Sequence, residues 1–210
     1  MRITKFTHAC LRLEHDGGVL VIDPGVFSEP EALRGADAVL ITHEHLDHVD
    51  IDKLRAAAAK QPDLTVYTHP DVEAQLKDLD ADLFAVAPGD TFVAAGMTVR
   101  AHGGQHAVIH PDIPRIVNVS FLIDGPDGGI YHPGDSFHVP DDEVATLFAP
   151  VSAPWLKLAE AIDFVRAVKP ERAFALHDSL WVEAGQQMIT GHMTRLSGTQ
   201  YTRLEPGTSI

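Results

Sequence analysis

Cysteine is nearly absent. Cys10 is the single one among 210 residues, so no internal disulfide can form and a cysteine-rich zinc site is excluded; this usage agrees with a reducing compartment. Basic charge is scarce as well. Lys and Arg number 16 against 30 Asp and Glu, a formal net charge of −14. That balance argues against a nucleic-acid surface, which needs a basic face to displace counterions. No apolar run approaches the length of a membrane span. Met1-Arg2-Ile3-Thr4-Lys5-Phe6 carries neither the apolar core nor the small-residue cleavage site of a secretory signal. Linkers, charge blocks, low-complexity tracts and strong repeats are missing too. The expectation is one domain over 1–210, located in the cytoplasm, with a small-molecule partner and neither nucleic acid nor membrane. Oligomeric state is left open.

What the chain does hold is histidine, 13 in all, gathered where strands end. The densest group is His43-Glu44-His45-Leu46-Asp47-His48, just past the apolar run Ala38-Val39-Leu40-Ile41-Thr42. Imidazole and carboxylate together suit zinc, with manganese or iron as alternatives. A compact turn can aim His43 and His45 at one ion and Asp47 and His48 at a second. Two ions about 3.5–4 Å apart can share a bridging hydroxide, the usual nucleophile of metal-assisted hydrolysis. Glu44 is not expected to ligate, because its neighbours already fill both positions. A histidine-rich solvated loop is the bland alternative, and it does not account for such clustering after a buried strand.

The pattern around this group is mostly strand. Residues 9–14 alternate, Asp16-Gly17-Gly18 turns the chain and Val19-Leu20-Val21-Ile22 returns, which predicts a hairpin. Further strands are expected over 39–42, 64–68, 91–94, 98–101, 117–123, 129–131, 172–176 and 201–204. Helices are expected over 51–60, over 71–79 with Asp71 as its cap, from 158 to Pro170 and over 182–196. Strands and helices occur in both halves, so two sheets packed face to face with helices outside would bury both apolar sets.

Three more donors lie at the ends of predicted strands. His106, after Gly103-Gly104, is the third candidate for the first ion, with His102 and His110 as rivals. Asp135, in the tight Pro133-Gly134-Asp135 turn, can place one oxygen on each ion and is the natural bridge. His177 follows the short buried strand Phe174-Ala175-Leu176 and completes the second ion.

In that order the residues resemble the metallo-β-lactamase superfamily of hydrolases. The motif His43-x-His45-x-Asp47-His48 is followed by His106, by Gly134-Asp135-Ser136 and by His177. Thr7-His8-Ala9 and Ile22-Asp23-Pro24 match that superfamily's opening hairpin, and most nearly its ascorbate-phosphate lactonase and N-acylphosphatidylethanolamine phospholipase D branch. The resemblance implies an α+β fold, a four-layer αβ/βα sandwich of two mixed sheets with helices outside. It implies His43, His45 and His106 on one ion, Asp47, His48 and His177 on the other, and Asp135 between them. Asp23 would orient a ligand histidine, and His8 would face the cavity. The chain is shorter than the lactonase and the phospholipase, and it lacks the extra domain of the RNA-processing members.

The function expected is therefore a dinuclear metal-dependent hydrolase of a small ester, lactone or phosphoester. It would hold two divalent ions, zinc first, with Asp47, Asp135 and His8 as catalytic candidates. A phosphodiesterase or nuclease on the same metals is the first alternative and a non-catalytic metal-binding scaffold the second. Around the rim, His132, His138, Trp155, Lys157, Asp178 and Trp181 are candidates for substrate contact, with His8, His132 and His138 as rival proton donors.

Overall fold

The computed structural model describes residues 1–210. Its first sheet runs in chain order: β1 (Arg2–Lys5), β2 (Leu11–His15), β3 (Gly18–Ile22), β4 (Ala38–Ile41), β5 (Thr65–Thr68) and β6 (Asp82–Ala85). The first three form an antiparallel meander, and β3 to β6 are parallel. Parallel neighbours need crossovers; α1 (Ile51–Ala58) and α2 (Pro70–Leu76) supply those after β4 and β5.

The second sheet contains β7 (Thr91–Ala94), β8 (Met97–Gly103), β9 (Val119–Gly125), β10 (Gly128–His132), β11 (Thr146–Pro150), β12 (Arg172–Leu176) and β13 (Gln200–Thr202), again in chain order across the sheet. Strands β7 to β10 are antiparallel and β10 to β13 parallel. Here α3 (Leu158–Val168) and α4 (Glu183–Leu196) make the crossovers after β11 and β12, and the connection from β10 to β11 contains no helix.

Strand alternation explains the layers. Along β4, Ala38 and Leu40 join the core between the sheets, while Val39 and Ile41 turn outward to Leu54, Ala57 and Val72 of the helices. Along β11 and β12, Phe148, Phe174 and Leu176 face inward, and Leu147, Ala149, Ala173 and Ala175 pack outward on Ala161, Phe164, Val165 and Met193. Both faces of these central strands are buried, so a one-residue slip would exchange the two apolar sets. The result is the expected α+β sandwich of two mixed sheets with helices on the outer faces.

Several expected elements shift. Strands β6 and β11 carried no prediction: β6 is an edge strand with little burial and no alternation, and β11 is buried throughout and ends at Pro150. The cap of α2 is His69, not Asp71. The His69 Nδ1 accepts the Asp71 N–H at 3.3 Å, with Pro70 opening the helix. Asp71 sits inside the first turn, where a carboxylate favours the helix dipole.

Strand direction positions the site. The C-terminal ends of β3, β4, β8, β10 and β12 lead into Asp23, His43, His106, Asp135 and His177 respectively. Two main-chain bonds tie the sheets together there: Val119 N–H to the Thr42 carbonyl at 2.9 Å, and His177 N–H to the His8 carbonyl at 3.1 Å.

Candidate metal centre

All seven expected donors converge. One group holds His43, His45, His106 and Asp135; the other holds Asp47, His48 and His177 together with His8. Within each group the donor atoms lie within 4.8 Å of one another. His43 Nε2 and His45 Nδ1 approach to 3.1 Å. The His106 Nδ1–H is spent on the Ala107 carbonyl at 2.6 Å, which leaves Nε2 facing Asp135 Oδ2 at 3.3 Å. The other Asp135 oxygen, Oδ1, lies 3.1 Å from His48 Nε2 and 3.3 Å from His177 Nε2. This one carboxylate therefore addresses both groups. The structure brings His106, and not its rivals, to this group: His102 turns its Nε2 to Asp142 at 3.3 Å, and His110 is largely exposed beside Asp112.

The surrounding shell fixes each ring. Asp23 accepts from the Thr42 N–H at 2.8 Å, the Thr42 hydroxyl at 2.7 Å and His48 Nδ1–H at 2.6 Å. His177 Nδ1–H donates to the Ser152 carbonyl. Asn118 accepts the Asp135 N–H at 2.9 Å and donates to the Pro133 carbonyl at 2.8 Å. Sequence reasoning missed Asn118 and Ser152, because nothing local marks them. Thr42 had a signal, since it stands directly before the cluster. His8, Asp23 and His177 all hold left-handed backbone, with φ of 67°, 49° and 55°. Such conformations cost about 1–3 kcal/mol each away from glycine and cluster at functional sites. At His8 the carbonyl is clamped by the buried Lys5 ammonium at 2.7 Å as well as by His177.

Burial opposes charge on His8, His43, His45, His48 and His177. It pushes His8 down to about 4 and holds His43 and His45 below the ordinary imidazole value. At His48 and His177 neighbouring carboxylates overcome it. Asp135 and Asp23 raise His48 well above the usual value, and Asp135 and Asp47 raise His177 to about 9. Burial likewise works against ionised Asp135 and Asp47, and the facing histidines reverse that, holding both well below the carboxylate range. Two carboxylates thus stay ionised in a buried pocket and hold protons on histidines nearby.

Eleven buried side-chain atoms have no hydrogen-bond partner, and four of them, His48 Nε2, His106 Nε2, His177 Nε2 and Asp135 Oδ1, belong to the two groups and converge on one another. Buried polar atoms are normally satisfied, and nitrogen and oxygen donors with their opposite ring positions already bonded are what a divalent ion requires. The residues present fit a pair of such ions.

A cavity of about 460 Å³ opens over the donors. His45, Asp47, His106, Asp135 and His177 form its floor. Of the rim candidates, Trp155 lines it, and its Nε1–H donates to Asp135 Oδ2 at 2.9 Å. The others lie elsewhere. His132 is fully buried, with Nε2–H on the Ala9 carbonyl at 2.8 Å, so it is a structural histidine. His138 lines a different cavity with Gly104 and Arg115. Lys157 is solvated, Trp181 flanks a separate small cleft, and Asp178 is buried between Lys5 and Arg203. Neither His132 nor His138 can serve as the proton donor at this cavity. A larger hollow of about 820 Å³ between residues 30–35 and α1 contains no histidine and is not part of the site.

Fold and donors together define a metal-dependent hydrolase of the metallo-β-lactamase type. The chain belongs to the family described as "Beta-lactamase superfamily domain", whose model matches residues 2–177. It is 38% identical to Protein Rv0786c of Mycobacterium tuberculosis, over 100% of this chain and 99% of that one. It is 30% identical to a UPF0173 metal-dependent hydrolase of Aeropyrum pernix, over 64% of this chain and 61% of that one. Among solved structures it is similar in fold to Igni18, a metallo hydrolase of the hyperthermophilic archaeon Ignicoccus hospitalis. The TM-score is 0.77 at 17% identity, covering 100% of this chain and 97% of the other.

Proposed function

We propose that the chain is a dinuclear hydrolase of a small ester, lactone or phosphoester. The observation that carries this reading is the set of four unpartnered buried donor atoms, drawn from both groups and from the carboxylate between them. His43, His45 and His106 would hold one ion, Asp47, His48 and His177 the other, and Asp135 both. When bound, such a pair supplies an activated hydroxide and polarises the substrate oxygen as a Lewis acid.

The chain's own residues do the rest. Asp47 Oδ2 lies 3.2 Å from His177 Nε2 and 3.1 Å from His8 Nε2. Burial keeps His8 neutral. Its Nε2–H donates to Asp47 while Nδ1 accepts the Ser179 hydroxyl at 2.7 Å. In that tautomer His8 orients Asp47 and leaves no proton facing the cavity, so it acts as a positioning residue. Trp155 holds Asp135 from the opposite side.

Acyl centres come first among substrates, on the likeness of Thr7-His8-Ala9 to the lactonase branch. Zinc comes first among ions, on the nitrogen-rich donor set. Elemental analysis of protein purified without added metal, followed by metal titration, should give two ions per chain. A titrated preparation that saturates at one ion would rule out the dinuclear centre. A screen of esters, lactones, thioesters and phosphodiesters should then show turnover of at least one small molecule. RNA cleavage that weakens with salt, without small-molecule turnover, would favour the nuclease reading instead.

A further inference from the structure

The walls of the cavity over the donors differ in chemistry from its floor. Val26, Phe27, Leu46, Pro154, Trp155 and Leu180 form most of them, and no Lys or Arg lines the cavity. Val26, Phe27, Leu46 and Leu180 are among the chain's exposed large apolar side chains, at 43%, 48%, 67% and 48%. They come from separate parts of the chain: the segment after β3, the metal-type loop itself and the segment after β12. Exposed apolar residues scattered singly need no explanation, whereas a cluster at the mouth of a site does.

The loop 43–48 shows the arrangement most clearly. Its two non-donor side chains point to different places. Glu44 leaves the cavity and its carboxylate accepts from Gln75 Nε2 at 2.5 Å, while Leu46 stands in the cavity wall. The charged residue is turned away from the cavity and the hydrocarbon toward it. Cations near the site are engaged elsewhere. Arg115 donates Nε–H to the His106 carbonyl at 2.8 Å and lines another cavity. Lys5 is buried on the His8 carbonyl and Asp178. An anionic arm would therefore find no side-chain counter-charge in the walls and would have to shed its water against hydrocarbon.

We propose that this cavity selects substrates whose non-reacting arm is an uncharged alkyl or aryl group and discriminates against arms bearing an anion. The inference rests on the hydrolase reading for what sits at the floor, and it concerns the walls alone. Its volume of about 460 Å³ suits a small molecule with a medium-length arm.

Three hydroxamic acids test it without turnover, because they share one metal-binding head and differ in the arm. Acetohydroxamic acid, octanohydroxamic acid and the monohydroxamate of succinic acid are titrated calorimetrically into metal-loaded protein. The octanoyl probe should bind roughly 15-fold or more tightly than the acetyl probe, as burial of at least two methylenes in the walls requires. The succinyl probe should bind no more tightly than the acetyl one. Leu46→Lys should cut the octanoyl advantage at least about 5-fold and improve the succinyl probe. Phe27→Ala should cut the advantage alone. Both residues are exposed, so the fold tolerates the changes, and melting curves of the variants check this. Equal binding of the acetyl and octanoyl probes, tightest binding of the succinyl probe, or an octanoyl advantage untouched by both substitutions would each overturn the inference while leaving the hydrolase reading intact. A chain that takes up no metal would overturn both.

Discussion

Asp135 turns its two oxygens to different histidines, Oδ2 to His106 and Oδ1 to His48 and His177. An amide in its place keeps the shape and the main-chain anchor on Asn118 but cannot carry the charge toward both groups. Asp135→Asn should therefore retain the fold, lose bound metal on elemental analysis and lower turnover on the order of a hundredfold or more. Near-normal metal content would show that the carboxylate is not shared. Trp155→Phe is a finer test. It preserves ring packing against Phe137 and His106 and deletes the N–H on Oδ2. Metal retention against a chelator should weaken by about 10- to 100-fold with melting of the stripped protein nearly unchanged; unchanged retention would reduce Trp155 to a wall residue. At this scale the sequence was readable where donors are dense. Four donor side chains within residues 43–48 have no packing explanation, and a Pro-Gly turn exposes the acid that follows it. His132 was misread because its partner, the Ala9 carbonyl, is distant in the chain. Trp155 was placed at the rim correctly, but its indole bond to Asp135 was not foreseen, because it spans 20 residues and depends on how two loops meet.

Two glycines set how closely those loops approach. A Cβ at Gly25 would lie 1.9 Å from the Asp47 carbonyl oxygen, so the segment after β3 can press on the loop 43–48 only without a side chain. Gly134 has φ of 61°, and a Cβ there would meet Asn118 Oδ1 at 2.3 Å and the Thr42 Cβ at 2.8 Å. Gly134→Ala should cost about 2–5 kcal/mol, combining left-handed backbone strain with overpacking. It should also displace Asp135, seen as metal loss in the fraction that stays folded. A variant with unchanged melting temperature and metal content would mean that the turn relaxes freely. The elements themselves were legible to the degree that burial is one-sided or strongly apolar. The hairpin of β2 and β3, α3 and β12 follow directly from their patterns. β6 lies at a sheet edge with mostly exposed side chains, and β11 is buried on both faces, so neither shows alternation. Which helix packs on which sheet is a tertiary result, fixed by the outward sets Val39 and Ile41 on one side and Leu147 and Ala149 on the other.

Across the whole molecule the donor groups draw on both sheets, so ions held there would fasten one half to the other. Loss of metal should lower the melting temperature, since an ion binds the assembled site far better than the unfolded chain. The size of that drop should depend on pH. In stripped protein the Asp135 and Asp47 carboxylates raise His177 to about 9, above the unfolded value of about 6.5. That interaction stabilises the stripped fold fully below about pH 6.5 and is lost as pH rises through about 9. Metal ligation requires the same nitrogens without their protons, so ion binding strengthens over the same interval. The two effects are one proton seen from two sides: its loss destabilises the stripped protein as the pH rises and removes the competition against the ion by the same amount. The gap in melting temperature between loaded and stripped protein should therefore widen from about pH 6 to about pH 9. A direct companion measurement is proton release on ion binding, read as a dependence of the titration heat on buffer ionisation enthalpy. A constant gap with no proton release would mean that the ions enter without displacing protons from His48 and His177, and would remove the donor roles proposed for both.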